Sequence, residues 1–337
     1  MARTLLLTGA TGFVGRNFLI AALRSGEYAP IYVAVRDPNK LRRQLEGEGF
    51  SSPPPNVIPI VGTDSDWNVG SLGVVDDVVH AAGQLSGRTR EDYFRTNVQG
   101  TLSLLGQLQH PRAIVVVSSQ AAGGPCVGGQ ERKSEDDRDE PVTWYGESKA
   151  EMEQQILREL PGLNVIFLRP PMVLGPRDQA TRALFQLVAL PVHFKPGLRD
   201  MFYSYIAVED LVRAISTALQ GFQKWRTFRH RHFFVAAPEP VSIRDLLSLA
   251  AEVSGRRGVI VPVPKSVVKV ASIVIESVPR FRNALPNLSK DRVRELWPDR
   301  WVSATTNFET AFAWRARENL RSTLQSTYDW YLRTGQL

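Results

Sequence analysis

The sequence predicts an α/β fold: a doubly wound parallel sheet carrying a smaller, mostly helical C-terminal lobe. Three observations carry that prediction. Short apolar runs alternate with helix-spaced segments from the start of the chain to about Pro170. The runs are apolar throughout, as in strands covered on both faces, and do not alternate like half-exposed ones. Beyond Pro170 the rhythm gives way to proline-spaced loops and helices.

Element by element, "RTLLL" (Arg3 to Leu7) is the first strand, and "TGATGFVGR" (Thr8 to Arg16) is a turn with three glycines. "FVGRNFLIAALRSG" then spaces its apolar residues as a helix that stops at Gly26. "IYVAV" (Ile31 to Val35) is a strand followed by a charged helix from Pro38 to Glu46, and "SSPPPN" breaks the chain before the strand "VIPIVG". "VVDDVVHAAG" (Val74 to Gly83) holds a fourth strand and "EDYFRTNVQGTLSLLGQL" the next helix. "RAIVVVSS", "TWYGESKAEMEQQILREL" and "LNVIFLRP" read as strand, helix, strand. Right-handed crossovers make this a Rossmann-type sheet.

Helices are then expected at "VEDLVRAISTAL", "IRDLLSLAAEV", "KSVVKVASIVIESV" and "LRSTLQSTYDWYLRTG", with "HFFVAA" returning to the main sheet as a strand. The expected organisation is a dinucleotide-binding domain over 1–170, with 205–237 rejoining it. A substrate-binding lobe over 171–204 and 238–337 covers the carboxyl ends of the strands, where ligands bind in such sheets.

The chain has 337 residues, 43% of them hydrophobic, enough for a sizeable core. Cys126 is the only cysteine, which excludes an internal disulfide and any cysteine-based metal site, and the five histidines show no metal-ligand spacing. There is no signal-peptide pattern and no apolar run near the roughly 18 residues that span a bilayer, so a cytoplasmic protein is expected. The net charge of +7 suggests anionic partners. Basic residues bunch at Lys224 to His232, Gly255 to Arg257 and Pro279 to Arg282. They read either as solvated loops or as attraction to an anionic membrane or an acidic substrate; no nucleic-acid-binding motif accompanies them.

Gly9, Gly12 and Gly15 follow a strand and open a helix, so they place N–H groups of Phe13 and Val14 where a pyrophosphate would lie. The second strand ends at Arg36, with Lys40, Arg42 and Arg43 behind it. A guanidinium there suits a 2′-phosphate, which favours NADP(H), although Arg36 stacked on the adenine would serve NAD(H) equally well. Asp37, one residue on, argues the other way.

In "TWYGESK", Tyr145 and Lys149 share one face of a helix. A phenol ordinarily ionises near pH ~10, and a neighbouring ammonium with a nicotinamide cation is expected to lower that value. Ser118 and Ser119 end the fifth strand, where a hydroxyl can polarise a substrate oxygen.

Taken together, "TGATGFVG", "HAAG", "NVQGT", "VVVSSQAAGG", "YGESK" and "LRPPMVLGPRD" resemble, in order, the motifs of the extended short-chain dehydrogenase/reductases. The resemblance is close over the first 180 residues and looser through "FYSYIAVEDLVRAI". It implies Tyr145 as general acid/base, Lys149 as its partner and Ser119 as the substrate-orienting hydroxyl. It places the cofactor on Gly9, Thr11, Gly12, Phe13, Val14, Gly15, Arg36 and Lys40, with Asp64 at the adenine. Ala81, Ala82, Gly83, Ser118, Pro170, Met172 and Val173 would line it, Asn97 would brace the loop beneath, and Tyr145 and Lys149 would reach its nicotinamide end. His80, within "HAAG", reads as structural.

"PMVLGPRD" lacks the asparagine and tyrosine usual in sugar-nucleotide members of that family, and Gln120, Ala121 and Ala122 stand where its dehydratases carry acids. What remains resembles the dihydroflavonol reductase and 3β-hydroxysteroid dehydrogenase branch, acting on hydrophobic, lipid- or sterol-like ketones and alcohols. A nucleotide-sugar 4-epimerase with tightly held NAD and a non-catalytic dinucleotide sensor are the alternatives. Homodimers are common in the family. Over 265–282, Lys265, Lys269, Ser272 and Glu276 form one helical face and valines and isoleucines the rest. That segment is either a core helix of the lobe or one lying at a membrane surface or lining an apolar pocket.

Overall fold

The computed structural model describes residues 2–50, 54–63, 66–277 and 291–337. Seven parallel strands form the main sheet: β1 (Arg3–Thr8), β2 (Tyr28–Val35), β3 (Val57–Val61), β4 (Asp77–His80), β5 (Ala113–Val117), β6 (Val165–Arg169) and β11 (His232–Phe234). Their spatial order is β11-β6-β5-β4-β1-β2-β3, so the chain winds outward from β1 to one edge and then from β4 to the other. The reversal between β1 and β4 leaves a crevice at the carboxyl ends of the strands. β11, cut from "HFFVAA", pairs with β6 as expected.

Alternate residues of each strand enter opposite cores. Leu5, Leu7, Val79 and Val115 pack beneath α1 (Phe13–Ser25) and α8 (Val208–Gln220). Leu6, Val78, Ile114 and Phe167 pack beneath α4 (Thr101–Leu105) and α6 (Trp144–Glu159). Around them lie α2 (Pro38–Glu46), α3 (Arg90–Phe94) and the single turn α5 (Gln120–Gly123). A π-helical stretch, Arg95–Gly100, joins α3 to α4.

The lobe holds α7 (Gln179–Val188), α9 (Ile243–Val253), α10 (Lys265–Ser277) and α12 (Leu320–Arg333). It also holds small sheets too short to show a period in sequence. In these, β7 (Met172–Leu174) pairs with β10 (Tyr205–Ala207), and β8 (Val192–Pro196) with β13 (Val259–Val263). β9 (Phe202–Tyr203) lies between β12 (Val241–Ser242) and β14 (Arg300–Trp301). One boundary needs correcting. Phe308 and Phe312 of α11 (Thr306–Phe312), together with Trp314, fall in the span assigned to the lobe, yet they pack into the sheet core against Phe233. Aromatic bulk, which carries no sequence period here, decides their place.

Candidate active site

The glycine turn is built from close approaches. Gly9 has φ +72°, and a Cβ there would lie 2.5 Å from the Ala81 carbonyl, so β1 and the loop after β4 touch backbone to backbone. A Cβ on Gly15 would overlap the Gly9 carbonyl. Gly12 N–H donates to Gly9 O at 2.8 Å and caps α1 without any side-chain acceptor. No acid occupies the first turn of α1. The first N–H groups of a helix have no acceptor within it, so this exposed end fits a diphosphate. Gln44 Nε2, bonded to Thr11 O at 3.2 Å, ties the turn to α2.

At the end of β2, Arg36 and Lys40 are exposed. Asp37 is engaged locally: its carboxylate caps α2, accepting from Asn39 N at 2.9 Å and Lys40 N at 3.1 Å. Asp64 lies outside the described residues.

Beneath the crevice, Thr8 and His80, register partners on β1 and β4, pair at 2.9 Å between Oγ1 and Nδ1. His80 Nε2 reaches Thr101 Oγ1 at 3.0 Å, and Ala82 N donates to Thr8 Oγ1 at 3.1 Å. Burial pushes the imidazole down to about 3, so it is neutral. His80 therefore holds strands and loop together. Asn97, set on the π-helical stretch, accepts from Gln84 N at 2.7 Å and donates to Gln84 O and to Ser148 Oγ. It fastens the loop carrying Gly83 to α6.

Thr143 caps α6, and Tyr145 and Lys149 both point into the interior from its first turns. Lys149 Nζ donates to Val117 O at 3.0 Å, and a Cβ on Gly83 would sit 3.2 Å from that nitrogen. Burial brings the ammonium down to about 8, with Glu153 opposing. The Tyr145 phenol lies at the Ser119 hydroxyl, which favours its ionised form. Ser119 also accepts from Ala121 N at 3.1 Å, which fixes its side chain. Ser119 and Tyr145 thus lie together just beyond β5, and Lys149 sits against the end of β5 and the loop after β4, whose Ala81 touches the glycine turn.

Two expectations change. The phenol of Tyr145 is held above its ordinary value because burial outweighs the Ser119 hydrogen bond and the Arg292 charge. The expected lowering counts an ammonium and a bound nicotinamide cation at the ring; of the groups present, Arg292 is the cation that acts on it. Ser118 donates its hydroxyl to Glu153, away from the crevice. Pro170, Met172 and Val173 follow β6 at the same end of the sheet, where Gln120 N bonds Pro170 O at 2.9 Å.

Some residues escaped the sequence. Glu153, one turn beyond Lys149, is bound by Arg169 at 2.6 Å, and Arg169 also grips Asp139 through two 2.7 Å bonds. From the lobe side, Asp291 accepts from Trp144 N, and Arg292 lies 5.5 Å above the Tyr145 ring. Glu295 receives the Thr143 hydroxyl and the Arg292 guanidinium. Only the "YxxxKxxxE" spacing could have suggested Glu153; nothing local marks the others. Among the described residues no cluster of metal-ligating side chains occurs.

The model of the NAD-dependent epimerase/dehydratase family matches residues 5–231. The chain belongs to that family. It is an enzyme of the extended short-chain dehydrogenase/reductase type. Among curated relatives, a ceramide reductase of Caulobacter vibrioides is 25% identical over 98% of this chain and 95% of its own length. A 3β-hydroxysteroid dehydrogenase/isomerase of Mycobacterium tuberculosis is 26% identical over 75% of the chain and 70% of its own length. Among solved structures, a UDP-glucuronic acid 4-epimerase from Bacillus cereus superposes with a TM-score of 0.74 at 18% identity, over 98% of this chain and 99% of its own. At that identity the likeness speaks for the fold.

Proposed function

We propose that the enzyme is an NADP(H)-dependent oxidoreductase that interconverts a ketone and a secondary alcohol on a hydrophobic substrate. The observation that carries this reading is the buried Tyr145 phenol at the Ser119 hydroxyl, with Lys149 one turn further along α6 against the end of β5. Bound along that turn, a nicotinamide dinucleotide supplies or accepts the hydride.

The chain's own groups do the rest. Ser119 holds the substrate oxygen. Tyr145 gives that oxygen a proton in reduction and takes it back in oxidation, a role worth about 10²–10⁴-fold. Its raised pKa keeps the proton on the phenol until the substrate oxygen becomes basic. Lys149 keeps its charge below about pH 8 and, with Arg292, stabilises the phenolate left behind. Arg36 and Lys40 support NADP(H), since the competing carboxylate of Asp37 is occupied as a helix cap. The remaining cofactor contacts are assigned to Gly9, Thr11, Gly12, Phe13, Val14, Gly15, Ala81, Ala82, Gly83, Pro170, Met172 and Val173. Relatives named for ceramide, sterol carboxylate and 3β-hydroxysteroid support an apolar substrate.

Titration with NADPH and NADH, followed by a screen of apolar ketones, tests the reading. Tyr145→Phe should lower turnover by about 10²–10⁴-fold with NADPH binding little changed. Full activity in that variant removes the assignment. Arg36→Asp should reverse the cofactor preference; tighter binding of NADH by the parent protein would overturn the choice of NADP(H). Interconversion of UDP-sugars without added cofactor would replace this reading by the epimerase one.

A further inference from the structure

At one corner of the lobe, the strand pair β8–β13 and the adjoining α10 are turned inside out. Along β8 it is the polar residues that point inward: His193 and Lys195 are 1% and 0% exposed. His193 Nε2 contacts Val188 O and Leu190 O, and Lys195 Nζ donates to Arg199 O at 2.7 Å and pairs with Asp200. The alternate residue, Phe194, is 57% exposed. Its register partner Val261 is exposed as well, and so is Val259, at 67%.

α10 repeats the inversion. Lys265 bonds the Trp297 carbonyl and Asp299, and Ser272 is buried, whereas Val267, Val270 and Ile273 face solvent. The pieces adjoin: Gly197 N donates to Val263 O, a Cβ on Gly197 would lie 3.1 Å from Lys265 Cε, and Leu198 beside it is 69% exposed. Residues 278–282, the end of the segment singled out in the sequence, lie outside the described residues. A soluble surface would place the lysines and the serine outward at no cost. Here His193 and Lys195 are held inside by specific bonds, Lys265 is half-buried by its own, and large apolar side chains are presented beside them.

The charges around these side chains are mostly of one sign. Arg256 and Arg257 lead directly into β13, Arg199 follows β8, and Lys269 lies on α10, all exposed. The acids within these stretches are Asp200, which Lys195 and Arg244 engage, and Glu276 near the end of α10. An apolar face rimmed with arginine and lysine complements one surface above others: hydrocarbon beneath anionic headgroups. We infer that the β8–β13–α10 corner docks the enzyme on anionic lipid bilayers, with Phe194, Val259, Val270 and Ile273 entering the interface. The inference stands apart from the reaction proposed above.

Flotation of the full-length protein with vesicles tests it. Binding is expected to phosphatidylcholine/phosphatidylglycerol vesicles, to weaken with salt, and to be poor with phosphatidylcholine alone. Phe194→Ser with Val270→Ser should weaken partition by about tenfold or more, and Arg256→Gln with Arg257→Gln by about fivefold or more. Cofactor binding and thermal midpoint should be retained, since these side chains are exposed. No binding to anionic vesicles, equal binding to neutral ones, or unaltered partition of the serine variant overturns the inference. So does a dimer that Phe194→Ser dissociates without any vesicle binding, which would make the corner a contact between copies.

Discussion

The carboxyl end of the sheet and the β8–β13–α10 corner both bury polar side chains, and they do so for different ends. Beneath the crevice, Ser118, Glu153, Arg169 and Asp139 form a chain of hydrogen bonds and ion pairs inside a region whose apolar residues are buried too. There the charges set the frame on which Lys149 and Tyr145 stand. At the corner, inward Lys195 and His193 leave apolar side chains on the outside. Burial of a polar group is thus a framing device in the first region and a surface-making one in the second.

The largest effect expected from breaking this contrast lies in the frame. Arg169→Leu leaves Glu153 buried, with the Ser118 hydroxyl as its direct partner. Removing one member of a buried pair costs about 3–5 kcal/mol because the other charge is stranded. Urea unfolding should show a loss of that size. A loss below about 1 kcal/mol would mean that water or Lys149 already compensates Glu153, and the frame reading would fail.

A smaller effect concerns His80. Its folded pKa of about 3 lies below the ordinary 6.5, so between those values the unfolded chain holds a proton that the native chain lacks. The stability it contributes is whole above about pH 6.5 and is lost as pH falls toward 3. For one proton the slope is roughly 1.4 kcal/mol per pH unit. His80→Gln should flatten the stability–pH curve in that window by about this amount. An unchanged slope would show that His80 is protonated in the native protein, against its burial between Thr8 and Thr101.

How much of this was legible in the sequence follows from the range of each interaction. The strands of the main sheet and the helices over 38–46 and 243–253 could be read because local period and burial agree there. Gly9 and Gly15 stood out because they share one tight turn, and Tyr145 and Lys149 because they share one helical face, although the partners of Gly9, Tyr145 and Lys149 lie far off in sequence. Arg169 was hidden because its partners are 16 and 30 residues away and its segment looks like any apolar strand. Asp291, Arg292 and Glu295 were hidden because they reach α6 from the far end of the chain. The burial of Tyr145, which reverses the expected direction of its pKa, depends on packing by Tyr93 and Arg292 that no local spacing encodes. The face of α10 was legible only in part: Lys269, grouped with Lys265 and Ser272 on the wheel, is exposed beside Val270. A helical wheel fixes which residues sit together; neighbours such as Trp297 and Asp299 fix which side turns inward.

The smallest predicted effect is the one that separates the two regions most sharply. Val270, 61% exposed, has little apolar area to lose, and serine and valine differ little in helix propensity. Val270→Ser should therefore change stability by no more than about 0.5 kcal/mol. Leu6→Ala, in the sheet core, should cost about 2–5 kcal/mol for the same kind of truncation. Thermal unfolding of the two variants side by side makes the comparison. If Val270→Ser proves as costly as Leu6→Ala, the face of α10 is already covered in solution, and its apolar residues belong to a core. If the two differ as expected, Val270 contributes almost nothing to holding the chain folded, and its place on the outer face of α10 answers to the surface it meets.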